Sequence, residues 1–130
     1  MEIIMFIFTT QFGEEYICEC IVSQYRESGA FALQLVGAED SPYEGEPIAM
    51  ATVNLPHLNV GLTDGERVLT FIKDWSENQG ILDQLVEQNM VRRVCQQGQP
   101  VRVPTGYVQA DLVEVICPTM VDDFKELSSR

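Results

Sequence analysis

Only one stretch of this chain repeats apolar residues at sustained helical spacing. Ile81, Leu82, Leu85 and Val86 share one face, and Asp83, Gln84, Glu87 and Gln88 occupy the other. Nearly everything else reads as short strand-like runs cut by glycine, proline and asparagine. That pattern predicts an α+β fold: a mainly antiparallel sheet of about five to seven strands, one central helix and room for a short C-terminal helix.

The runs can be placed one by one. Ile3 to Phe8 (IIMFIF) is apolar throughout and predicts a strand covered on both faces. A second strand runs from Glu15 to Gln24, joined to the first by a hairpin around Gln11 to Gly13. Phe31, Leu33 and Leu35 alternate with Ala32, Gln34 and Val36, as in a half-buried third strand. Gly37 to Pro47 is rich in glycine, proline and acid and predicts the longest flexible loop. Ile48 to Leu55 reads as a fourth strand closed by Pro56, and Val68 to Trp75 as a fifth, with Asn59, Gly61, Asp64 and Gly65 marking turns between them. Ser76 and Gln79 have capping-box spacing ahead of the helix, Asn78 is a second candidate cap, and Asn89 is placed to end the helix in a left-handed conformation. Val91 to Cys95, Val101 to Val103 and Tyr107 to Ile116 supply the last extended segments. Met120 to Leu127 fits one or two amphipathic turns.

A chain of 130 residues without a linker or repeat predicts a single domain, 1–130. No apolar run approaches the roughly 20 residues that cross a bilayer. Ile3 to Phe8 follows Glu2 rather than a basic residue, so a buried strand is expected there, not a targeting segment, and a cytoplasmic location is expected for the chain. Cys18 and Cys20 share a face if their segment is a strand; with Cys95 and Cys117 they are expected to be free thiols.

Charge is the strongest compositional signal. Twenty acids against eight bases give a net charge of −12. Residues 1–66 hold eleven of the acids and one base, Arg26. Such a surface repels nucleic acid and anionic lipid and attracts basic protein surfaces. The bland reading is a solvated, solubilising face. The sharper reading is a nucleic-acid mimic, with carboxylates on strands about 4.8 Å apart standing in for phosphates. Its partner-binding candidates are Glu14, Glu15, Glu19, Glu39, Asp40, Glu44 and Glu46.

Catalytic signatures are lacking. The sequence has no G-x-S-x-G, no phosphate-binding glycine loop and no cysteine with a convincing histidine partner. The single histidine, His57, sits between Pro56 and Leu58 and reads as an ordinary loop residue. The cysteine spacing does not match zinc knuckles, and the acidic loop lacks calcium-loop order. No cofactor, metal or enzymatic activity is expected. Tyr43, Trp75 and Tyr107 lie beside turns, where each fits either an interface anchor or a plug for the core; the core reading is favoured for Trp75.

ATVNLP (Ala51 to Pro56), FIKDWSENQGILDQLVEQNMV (Phe71 to Val91) and VPTGYVQADLVEV (Val103 to Val115) follow one another in an order that resembles a family of small uncharacterised bacterial proteins carried on plasmids, conjugative elements and phages. The shared order is a strand ending near Asn-Leu-Pro, a polar helix start, a short helix, a turn and a strand opening on Gly-aromatic. No catalytic residue transfers with it. The resemblance implies a mobile-element context, in which small acidic proteins antagonise host defences. The resulting expectation is a non-enzymatic inhibitor of the anti-CRISPR or anti-restriction type. It would dock on a basic protein surface, such as a host nuclease or guide-RNA effector complex, without binding nucleic acid or membrane itself. The alternative is an accessory or adaptor domain that joins a complex through a strand edge or apolar patch, its charge serving only solubility.

Overall fold

A computed structural model describes residues 3–55, Leu58, the strand backbone of Leu62–Thr63, and residues 67–129. Pro56, His57 and the turn residues Asn59, Gly61, Asp64 and Gly65 lie outside the described residues.

The chain forms β1 (Met5–Thr9), β2 (Glu15–Gln24), β3 (Phe31–Gly37), β4 (Pro47–Met50), β5 (Thr52–Val53), β6 (Leu62–Thr63) and β7 (Arg67–Ile72). Helix α1 (Ile81–Glu87) follows, then β8 (Val91–Arg93), β9 (Cys95–Gln96), β10 (Gln99–Pro100), β11 (Arg102–Thr105), β12 (Val108–Val115) and helix α2 (Pro118–Ser128). The fold is α+β with antiparallel strand pairing throughout its ladders.

β1 to β4 form a meander in chain order. In the second sheet β12 is central: β7 lies on one side, and β8 and β11 lie end to end on the other. The small β9–β10 hairpin leaves the sheet between β8 and β11, and Val101 N–H donates to Val94 O at its base (2.8 Å).

The predicted fourth strand is cut in two because it serves both sheets. β4 pairs with β3, and β5 pairs with β7. Ala51, between them, donates to Leu33 O and accepts from Lys73 N–H (both 2.9 Å). Threonine hydroxyls complete the corner: Leu33 N–H donates to Thr52 Oγ1 (3.1 Å), and Thr70 Oγ1 donates to Phe31 O (3.1 Å). Buried backbone groups that a ladder cannot reach are thereby still paired.

Phe6, Phe8, Cys18, Cys20, Leu33 and Leu35 from the first sheet meet Val68, Ile72, Val113 and Val115 from the second in one core, with Ile81, Leu82 and Leu85 of α1 and Met120 and Phe124 of α2. Each fully buried large side chain contributes about 1.5–3 kcal/mol. Phe124 meets Phe31 edge-to-face at 5.4 Å, which fixes α2 on the sheet.

Several expectations change. β1 is covered on one face only: Ile4, Phe6 and Phe8 are buried, and Ile3, Met5 and Ile7 are exposed. The fifth strand ends at Ile72, and Trp75, only half-buried, precedes a short 3₁₀ turn over Ser76–Asn78. Ser76 therefore does not cap α1. Asp74 does: its Oδ1 accepts from Gly80 N–H (3.0 Å) and Leu82 N–H (3.1 Å). Asn78 is buried and donates Nδ2 to Met50 O (2.7 Å). Asn89 follows α1 with φ 60°, as its position predicts.

Helix α1 also closes the sheet edge. Residues two apart on a strand are about 6.7 Å apart, close to the roughly 6 Å between residues four apart on a helix. Gln84 and Gln88 match that spacing against β1. Gln88 accepts from Ile7 N–H (3.0 Å) and donates to Ile7 O (2.8 Å). Gln84 accepts from Thr9 N–H (2.7 Å) and donates to Thr9 O (2.8 Å). Two side-chain amides thus occupy the edge groups that another strand would use.

Candidate protein-binding site

In an antiparallel meander, alternate turns lie at the same end. The β1–β2 turn and the β3–β4 loop therefore share one end of the first sheet, and the β2–β3 turn lies at the other. This brings Glu14 and Glu15 beside Glu39, Asp40, Glu44 and Glu46, all exposed. Glu19 does not join them. It is half-buried on the outer face of the sheet, directly between Met5 and Val36.

Each segment at this end is held by its own hydrogen bonds. Thr10 organises the first turn: Oγ1 accepts from Phe12 N–H (3.3 Å) and Glu14 N–H (3.2 Å), and Thr10 N–H donates to Glu14 O (2.8 Å). The 38–46 segment, expected to be flexible, is instead densely bonded. Gly37 donates to Glu46 O (2.8 Å), Gly45 to Gly37 O (2.9 Å), Glu46 to Tyr43 O (2.9 Å) and Ser41 Oγ to Ala38 O (2.7 Å). Asp40 adopts φ 68° and donates its N–H to Glu44 Oε1 (2.8 Å). Gly37 is required by close approach, since a Cβ there would lie 1.7 Å from Tyr43 O. Gln11 Nε2 donates to Ser76 O (3.2 Å), which ties the 3₁₀ turn and its Glu77 to the same end.

Between these segments opens a groove of about 380 Å³. Phe8, Pro47 and Ile48 line it together with the aromatic rings of Phe12, Tyr16 and Tyr43. Its acids are Glu14, Glu46 and Glu77. Tyr16 and Tyr43 meet edge-to-face at 4.8 Å. Tyr16 Oη donates to Glu14 Oε2 (3.2 Å); desolvation, and then the Glu14 charge and that hydrogen bond, push the phenol pKa up. Lys73 Nζ binds Glu77 at 2.7 Å, and that hydrogen bond holds the Glu77 carboxyl below its ordinary range.

Three acids of the second sheet and α1, Glu114, Asp111 and Asp83, are met by arginines. Arg92 and Arg102 lie directly across the ladder from Glu114 and Asp111 and bind them at 2.6 Å and 3.1 Å. Arg67 joins Glu114 at 3.2 Å, and Arg93 pairs with Asp83. Burial alone would raise the Glu114 pKa, but the hydrogen bonds from Arg92 and Arg67 outweigh it and hold the carboxyl down. By contrast, Glu14, Glu15, Glu39, Asp40, Glu44 and Glu46 form no ion pair among the described residues.

Phe12, 81% exposed at the turn tip, and Glu77 belong to this site but stand out in no sequence pattern. Tyr43 lines the groove, whereas Tyr107 projects freely from the β11–β12 turn. The four cysteines are free; Cys18 and Cys20 are buried on the inner face, and burial pushes their thiols to about 11 and about 12. Among the described residues no group of three or more histidine, cysteine, aspartate or glutamate side chains is placed to hold a metal ion. Among them, too, no helix is long and apolar enough to cross a membrane.

A second surface is apolar. The outer face of the first sheet exposes Ile3, Met5, Ile7, Ile17, Ile21 and Met50, with Ile7 directly opposite Ile17. Compared with protein-family models, curated proteins and solved structures, the chain matches none of them.

Proposed function

We propose that this protein is a non-catalytic binding module that docks its acidic end onto a basic protein surface. It would inhibit a nucleic-acid-binding complex, of the kind used in host defence, by occupying the surface that nucleic acid would contact. One observation carries this reading. The carboxylates of Glu14, Glu15, Glu39, Asp40, Glu44 and Glu46 gather at one end on hydrogen-bonded turns, with no ion pair among the described residues, while the arginines of the second sheet are paired with acids of their own. Pre-positioned charge of one sign steers association and sets partner choice more than it sets raw affinity.

The test is capture of the tagged protein's partner from its host at low and high salt, followed by competition with duplex DNA and RNA for the captured complex. Capture that weakens steeply with salt and is displaced by nucleic acid supports the reading. A partner that binds nucleic acid and this protein simultaneously sinks it. Reversal of Glu39, Asp40, Glu44 and Glu46 to lysine should abolish capture.

The exposed apolar face favours a second reading, an adaptor that packs this face on a partner, with the charge serving solubility. Strand addition at the β1 edge is no part of it, because Gln84 and Gln88 fill that edge. Under this reading the fourfold lysine variant keeps its partner, and Ile17→Lys loses it.

A further inference from the structure

We infer that the groove at the acidic end receives one arginine side chain from a basic segment of the partner. This rests on the docking reading above and names the anchor within it. The groove, at about 380 Å³, lies at the low end of the roughly 300–1,000 Å³ that binding clefts span. It has room for a long side chain and the backbone that carries it, and not for a folded element. Its composition selects the occupant. Phe12, Tyr16 and Tyr43 supply aromatic surface for an aliphatic stem and a flat cation, and Glu14 and Glu46 supply carboxylates beside it.

Charge complementarity excludes anionic occupants, and the carboxylates would be desolvated without compensation by an apolar one. Arginine fits better than lysine because its planar guanidinium both stacks on rings and forks onto carboxylates, whereas an ammonium is a compact, strongly hydrated point charge. The groove is also preformed. The Tyr43 backbone is fixed by the Gly37 approach and by its N–H bond to Ser41 Oγ (3.3 Å), and the Glu14 backbone by the Thr10 turn. The Tyr43 ring packs edge-to-face on Tyr16 (4.8 Å), whose hydroxyl donates to Glu14 Oε2 (3.2 Å). A fixed aromatic wall costs little further order when a side chain enters.

The test uses four short glycine–serine peptides that differ only at the centre: arginine, lysine, citrulline or norleucine. Binding is read by NMR shifts of Tyr16, Tyr43 and Ile48 in the full chain. The arginine peptide should shift these residues at millimolar concentration. Citrulline, equal in shape but uncharged, should bind about tenfold more weakly or less. Lysine should fall between them, and norleucine should not bind. Glu46→Gln, an isosteric change at an exposed residue, should weaken the arginine peptide severalfold, and Tyr43→Ala should abolish its shifts while the remaining spectrum stays folded.

Equal binding of arginine and citrulline overturns the inference, as does an arginine peptide whose shifts fall outside the groove. An oligolysine peptide separates this outcome from failure of the docking reading. If oligolysine binds wild type and Tyr43→Ala alike and the single-arginine peptide shifts nothing in the groove, acidic docking stands and the arginine anchor falls. If neither peptide binds, both fall.

Discussion

Replacing Gly37 by alanine tests how tightly the acidic end is built. Gly37 ends β3, and an added Cβ would stand 1.7 Å from Tyr43 O and 2.3 Å from Tyr43 C. Both contacts are to backbone, so no side-chain rotation relieves them. The strand and the 38–46 loop must separate by more than an ångström. That movement breaks the bonds Gly37 makes to Glu46 O (2.8 Å) and from Gly45 N–H (2.9 Å). Overpacking costs about 1–3 kcal/mol, and each lost hydrogen bond about 1 kcal/mol. The variant should therefore lose about 3–5 kcal/mol, a large part of the roughly 5–15 kcal/mol that holds a domain together. In urea the midpoint should fall by roughly 2 M, with Tyr16 and Tyr43 shifted in the NMR spectrum. Gly45→Ala is the control. Gly45 has φ 75°, and a Cβ added there would meet nothing within 4 Å, so this variant faces backbone strain alone, about 1 kcal/mol. A Gly37→Ala variant with an unchanged midpoint and unchanged tyrosine shifts would refute the close approach.

Gln84→Ala with Gln88→Ala removes four hydrogen bonds from the β1 edge; stability should drop by about 2–4 kcal/mol, and size-exclusion chromatography should show concentration-dependent self-association. A chain that stays monomeric at high concentration argues against the edge-closing role. Cys18 and Cys20, with thiols raised to about 11 and about 12, should resist a thiol reagent at pH 8 until the chain unfolds, while exposed Cys95 reacts at once and Cys95→Ser removes that fast phase. Glu114, whose folded pKa lies below its ordinary 4.5, contributes stability that is whole above that value and is lost as pH falls through the folded pKa. Glu114→Gln should accordingly cost about 1 kcal/mol at pH 7 and progressively less as pH falls through the folded pKa by urea denaturation, and a cost independent of pH would break this linkage.

The strands are readable wherever alternation is clean. β2 and β3 begin where the sequence places them, and Phe31, Leu33 and Leu35 are buried as their spacing requires. β1 misleads because an unbroken apolar run fits burial on one face as well as on two. Its exposed Ile3, Met5 and Ile7 can be assigned only once nothing is seen to cover them. The start of α1 misleads for another reason. Its cap, Asp74, lies eight residues before Leu82 and works across a 3₁₀ turn, whereas capping-box reasoning looks only at adjacent residues. The acidic end is half legible. A meander puts its first and third turns together, so Glu14, Glu15 and the 38–46 acids follow from three correctly placed strands. Glu77 arrives from the second sheet through Gln11 and Ser76, a contact between residues 65 apart that no local pattern encodes.

The location of charge separates solubility from recognition better than its amount. A solubilising excess works wherever it is placed and is least costly when spread out, since two carboxylates about 8 Å apart in water repel by about 0.5 kcal/mol before salt screening. This fold gathers six of its acids at one end of the first sheet, while Glu87, Asp122 and Asp123 stay on the two helices. Arg92, Arg102, Arg67 and Arg93 are engaged with Glu114, Asp111 and Asp83, which leaves the second sheet close to neutral. The only base before residue 67, Arg26, lies in the β2–β3 turn, at the end of the sheet away from Glu14 and Glu46. Six carboxylates are thus held together on turns fixed by Thr10, Gly37 and Ser41, around a groove walled by aromatic rings. Charge of one sign gathered at one end is what a basic partner would neutralise on docking. Solubility alone gives no reason to place that charge around an aromatic-lined groove.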